Sequence, residues 1–175
     1  MSKLVFELRP MTIAATVAAF IVAVAAAVAA APGGHTTEGA HFNSATGSVN
    51  ADGALVVTWD EAGVGDNAFI DYSLTADASA TYACINGGGN HPKAANKESV
   101  NATTTTDFTA EAKNGRVRGT FTAGPLTDPS FTCPPGQTRV LACVSYSDIT
   151  LTDTTNDESA SIADASRTFV RIAGC

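Results

Sequence analysis

The sequence predicts an all-β protein: a single antiparallel β-sandwich, immunoglobulin-like or Greek-key, of about seven or eight strands, behind an N-terminal apolar export segment. Three observations carry this expectation. From Ala68 to Cys84 the even positions read Ala, Ile, Tyr, Leu, Ala, Ala, Ala, Tyr, Cys, while Asp71, Ser73, Thr75, Asp77, Ser79 and Thr81 occupy odd ones. Such a period of two gives one packed face and one wet face. Turn-forming clusters recur about every ten residues, and no segment after Ala31 has helical periodicity.

Taken in order, the chain opens with Lys3 and Arg9 as a short positive region, followed by a nearly unbroken apolar run from Met11 to Ala31. Ala27-Val28-Ala29 places small residues where a signal peptidase needs them, so residues 1–29 read as a signal peptide cleaved before Ala30. The alternative is an uncleaved anchor, because about twenty apolar residues can span a bilayer. Membrane association is then expected only through residues 11–31. Either reading leaves the remainder outside the cytoplasm, as a secreted or membrane-anchored domain. Residues 30–41, with Gly33, Gly34 and Gly39, read as a flexible leader, and residues 42–175 as the β-sandwich domain.

Within that domain a strand is expected near Asn43–Val49, then a turn at Asn50-Ala-Asp-Gly53. Leu55, Val57 and Trp59 alternate with Val56, Thr58 and Asp60, and both faces are apolar enough for a strand near the middle of a sheet. The long alternating segment at 68–84 is one strand, or two joined by a bulge. A strand follows near Val100–Phe108, where the β-branched run Thr103–Thr106 suits an exposed edge as well as a linker. Asn114-Gly115, flanked by Thr109–Lys113 and Arg116–Phe121, signals a two-residue hairpin turn. Val140–Leu151 and Ser161–Ile172 complete the set.

Cys84, Cys133, Cys143 and Cys175 all follow the export segment, and an even count in an oxidising compartment argues for two disulfides. Four cysteines allow three connectivities. The preferred one is Cys84–Cys133, each beside a Gly- or Pro-rich loop, with Cys143–Cys175 tethering the tail. No C-x-x-C spacing supports a zinc site.

The full chain carries a net charge of −7, and residues 30–175 retain eight basic and sixteen acidic side chains, a net charge of −8. That balance argues against nucleic acid and against an anionic membrane surface as partners. No G-x-S-x-G elbow, H-E-x-x-H motif, free catalytic cysteine or cofactor loop is present, so no catalytic residue, metal or cofactor is assigned. His91 lacks a recognisable orienting carboxylate, and His35 and His41 fall in the leader. Two acidic patches, Asp60-Glu61 with Asp66-Asn67 and Asp153–Glu158, lack EF-hand spacing and read as turns between strands. The loop after Cys84 is the most distinctive surface feature. There Asn86, Asn90, His91 and Lys93 surround three glycines and a proline, as candidate ligand contacts for an extracellular protein or glycan. A second function class is a small protease inhibitor presenting Phe131–Gln137 on a disulfide anchor.

Val64-Gly-Asp-Asn67, Tyr82-Ala-Cys-Ile-Asn-Gly-Gly-Gly-Asn-His-Pro-Lys93, Phe131-Thr-Cys-Pro-Pro-Gly-Gln137 and Ile149-Thr-Leu-Thr-Asp-Thr-Thr-Asn156 resemble a group of small secreted actinobacterial proteins of unknown function. The resemblance covers most of residues 42–170. It implies that Cys84 bonds Cys133 and that Cys143 and Cys175 are an added pair. It also implies a bacterial host, in which the Asn101-Ala-Thr103 acceptor pattern stays bare. It carries no activity.

Overall fold

The computed structural model describes residues 39–86 and 96–175. Eight strands lie among the described residues: β1 His41–Val49, β2 Leu55–Ala62, β3 Phe69–Asn86, β4 Lys97–Glu111, β5 Arg116–Ala123, β6 Gln137–Asp153, β7 Glu158–Ile162 and β8 Ala165–Thr168. They form two antiparallel sheets, one in the order β1-β2-β5 and one in the order β4-β3-β6-β7, with β8 also pairing with β6. The sheets pack face to face as a β-sandwich. The chain crosses from one sheet to the other after β2, β4 and β5.

Local chemistry fixes the first hairpin. The Asn50 carboxamide oxygen accepts from the amides of Asp52 and Ala54, both at 2.9 Å, and Gly53 takes φ 87°, a conformation open to glycine. β2 is the central strand of its sheet, as its two apolar faces predict. β3 follows the expected alternation: Ile70, Tyr72, Leu74, Ala76, Ala78 and Ala80 are buried, while Asp71 and Asp77 are exposed. It runs as one strand, the first of the two alternatives, and pairs with β4 without a register shift; the two irregularities in its ladder with β6 place the extra residue in β6.

Between the sheets lies one continuous apolar core whose widest part is aromatic. The Trp59 ring meets Tyr72 edge-on at 5.1 Å and Phe108 at 5.4 Å, and Phe108 stacks on Phe121 at 4.0 Å. These rings come from β2, β3, β4 and β5, so they join the two sheets directly. Further along, β3 offers Ala76, Ala78 and Ala80 before Tyr82, and alanines supply little apolar area per residue. Cys84, buried at the end of this stretch, bonds Cys133, and on the outer face Cys143 of β6 bonds Cys175 of the tail.

Two expectations need correction. Asn114 and Gly115 take φ 52° and 70°, and Lys113 and Arg116 exchange backbone bonds at 2.8 and 3.2 Å, so the tight turn forms. The strands it joins do not continue as a hairpin. β4 pairs with β3 along its whole length, whereas β5 pairs with β2 in the other sheet. The turn thus moves the chain between sheets, which buries Val117 and stacks Phe121 on Phe108 of the opposite sheet. The single strand expected at 161–172 is instead two short ones. Asp148 of β6 adopts φ 50° and interrupts the ladder, so β7 pairs with Ile149–Asp153 and β8 with Cys143–Tyr146 on either side of it.

Candidate functional site: a hydroxyl-lined sheet face

Of the four loop residues singled out as ligand contacts, Asn86 ends β3, exposed and opposite Gln137 of β6. Asn90, His91 and Lys93 lie outside the described residues. The Phe131–Gln137 loop is firmly held. Asp128 accepts from the Ser130 amide at 2.9 Å, the Ser130 hydroxyl at 2.6 Å and the Phe131 amide at 3.3 Å. Those bonds hold its carboxyl below the usual carboxylate range. Arg139 donates to the carbonyls of Asp128 and Phe131 and lies over the Tyr82 ring at 5.0 Å. Thr132, Pro134, Pro135 and Gly136 stay exposed at the tip, on either side of the anchored Cys133.

A chemically uniform surface lies elsewhere, on the outer face of the five-stranded sheet. Every odd residue of β3 from Asp71 to Thr81 points there, and the register sets each against a polar residue of β4. Thr81 meets Ser99 at 2.8 Å, Thr75 meets Thr105 at 3.4 Å, and the hydroxyls of Thr103 and Thr109 donate to Asp77 and Asp71 at 2.5 and 2.6 Å. On the other side of β3, Ser145, Ser147, Thr150 and Thr152 of β6 continue the rows, and Thr152 reaches Ser159 of β7 at 3.1 Å.

Because these side chains are short, the face is shallow and open. One trough of about 430 Å³ runs between Asp77, Ser79, Asn101, Thr103, Ser145 and Ser147. A second, of about 460 Å³, lies beyond it between Asp71, Ser73, Asp107 and Thr109. A third, of about 220 Å³, adjoins the Cys143–Cys175 bond and Ser166. The first two are lined by hydroxyl, carboxamide and carboxylate groups with no cationic side chain, while Arg167 lines the third. The sequence shows this face only as the wet half of an alternation. Which hydroxyl stands beside which carboxylate depends on a register spanning 26 to 38 residues.

A buried carboxyl pair closes one end of the sandwich. Glu61 is 0% exposed, and its Oε2 accepts from the Tyr72 hydroxyl at 2.6 Å. Its other oxygen has no hydrogen-bond partner among the described residues. Burial, together with the nearby carboxyls of Asp153 and Glu158, raises the Glu61 pKa to about 7. Asp153 is also 0% exposed, and its oxygens accept from the Thr155 and Asn156 amides and the Asn156 side chain at 2.6–3.0 Å. It thereby organises the β6–β7 turn. The first of the two acidic patches seen in the sequence is split by the strand alternation, and the second is organised as a turn around Asp153. Glu61 points inward, while Asp60 points outward and is gripped by Arg116 at 2.6 Å and Arg118 at 3.0 Å.

No family model, curated protein or solved structure matches this chain. The fold and its surfaces define the class on their own: a disulfide-stapled β-sandwich with a polar face on its five-stranded sheet.

Proposed function

We propose that the chain is a non-catalytic secreted protein, a binding or structural module at or outside the cell surface, whose contact surface is the outer face of the five-stranded sheet. The strand order, with crossovers after β2, β4 and β5, supports reading the sandwich as Greek-key and of immunoglobulin-like kind. Two disulfides and the apolar leader support an extracellular location. The carrying observation is the three-strand trough at Asp77, Asn101 and Ser145, whose donors and acceptors suit a neutral, hydroxyl-rich ligand such as a glycan, or a polar protein surface. The test is co-sedimentation of the secreted chain with a panel of neutral cell-surface polysaccharides. Binding is expected to fall at least tenfold when Ser79→Arg fills the trough, with the melting temperature retained. Equal binding by Ser79→Arg, or no binding to any polysaccharide, removes the glycan reading.

One observation favours a second reading, a protease inhibitor. The Phe131–Gln137 loop is exposed at its tip and fixed at its base by Cys133 and Arg139, as a rigid inhibitory loop requires. Titration against serine proteases separates the two readings, since an inhibitor acts near one-to-one stoichiometry.

A further inference from the structure

We infer that the free edge of β4 is a self-association surface, through which two copies of this chain join their five-stranded sheets antiparallel about a two-fold axis.

The phase of the β4 ladder shows which backbone groups are free. At its two ends the Ala112 amide donates to the Ala68 carbonyl at 2.9 Å, and the Cys84 amide donates to the Asn96 carbonyl at 3.0 Å. Fifteen consecutive pairs, from Phe69↔Glu111 to Ala83↔Lys97, run between them without a register shift. In an antiparallel ladder only alternate residues bond the neighbouring strand. The even residues of β4 therefore bond β3. The amides and carbonyls of Ser99, Asn101, Thr103, Thr105, Asp107 and Thr109 point away from the sheet, along an edge with no backbone partner among the described residues.

Proteins commonly guard such edges with bulges, lysines, prolines or short strands. The other edges of this sandwich have such guards. β1 carries a bulge between Phe42 and Ser44, β5 presents Arg116 and Arg118, and β7 and β8 are five and four residues long. β4 has fifteen residues, and from Ser99 to Thr109 it holds no proline, glycine, lysine or arginine and a single acid, Asp107. Its inward-facing side chains, including Val100, Thr104 and Phe108, are only half-buried, so the strand is also under-covered on its core side.

A second copy fits this edge by charge as well as by hydrogen bonding. With the axis at Thr104, Ser99 stands opposite Thr109 of the second copy, Asn101 opposite Asp107, and Thr103 opposite Thr105. No like charges meet, and each Asp107 faces a carboxamide. Each of the six facing pairs exchanges two backbone bonds, about twelve in all. The resulting sheet would carry the two polar outer faces side by side.

The test is sedimentation of the secreted chain over a wide dilution series, combined with residue-resolved amide exchange. The expected result is a concentration-dependent doubling of mass, with the odd amides from Ser99 to Thr109 becoming protected as the dimer forms. The double substitution Thr103→Lys, Thr105→Lys sets ammonium groups opposite one another and should weaken the dimer at least tenfold; it gives up the hydroxyl bonds to Asp77 and Thr75 but no backbone bond to β3, so the monomer keeps a cooperative melting transition. Thr105→Pro removes an edge amide and no backbone bond to β3, and provides a second variant with the same expected loss. A wild-type chain that stays monomeric throughout overturns the inference. So does a dimer that survives both variants or leaves the odd amides unprotected.

Discussion

Trp59, the only tryptophan in the chain, shows how a single missing side chain can position the core. Its indole lies over Gly119, the residue directly opposite it on β5. A Cβ added at Gly119 would overlap the Cζ2 and Cη2 atoms of the ring. The ring cannot retreat easily, because Tyr72 and Phe108 pack edge-on against it at 5.1 and 5.4 Å. Gly119→Ala should therefore destabilise the domain through overpacking, by about 1–3 kcal/mol. Thermal unfolding checks this, and the emission of Trp59 offers a reporter at the site itself. An unchanged melting temperature would mean that the aromatic cluster can shift as a unit.

Strands and staples set the next scale, where the two disulfides should prove unequal. Cys84–Cys133 closes 49 residues and Cys143–Cys175 closes 32. On the loop-entropy account the first is worth about 4 kcal/mol and the second slightly less. Cys84 is also buried against the core, whereas Cys175 is exposed at the chain end. Replacing the first pair by serines should thus lower the denaturation midpoint more than replacing the second, as urea unfolding of the two double variants would show. Both bonds follow the pairing preferred from the sequence, because each cysteine's place in a strand or loop is a local property. β3 was legible for the same reason, since its alternation needs no partner to be seen. The destination of the Asn114-Gly115 turn was not, because the turn fixes only local twist, while Arg116–Ala123 pairs with Leu55–Ala62 far earlier in the chain. The broken tail strand depends on Asp148, a residue of a different strand. The burial of Glu61 could have been read from its phase with Leu55, Val57 and Trp59, but its place in an acidic run hid that signal.

Across the whole molecule, carboxyl groups with opposite environments determine how stability responds to pH. Asp60, held by the Arg116 guanidinium and then by Arg118, has its pKa lowered from 3.8 to about 2, and Asp128 is lowered by its bonds from Ser130. Both bind fewer protons folded than unfolded in this range, so their contributions are present above the ordinary aspartate pKa and are lost as pH falls towards 2. Glu61 acts in the opposite sense. Its folded pKa of about 7 exceeds the ordinary 4.5, so the folded chain holds a proton that the unfolded chain releases. Its contribution is complete below pH 4.5 and is lost as pH rises through 7. The shift corresponds to a loss on the order of 3 kcal/mol. The contributions of these three groups together are greatest between about pH 4 and about pH 5. Glu61→Gln, which keeps the shape and removes the titration, should flatten the limb between pH 5 and pH 8 while leaving the acid limb unchanged. Tyr72→Phe should instead move the alkaline limb upward, because the Tyr72 hydroxyl stabilises the ionised form of Glu61. Melting temperatures measured from pH 2 to pH 8 for the three proteins test this directly. An alkaline limb that persists in Glu61→Gln would assign the loss to general repulsion in an acidic chain rather than to this one buried proton.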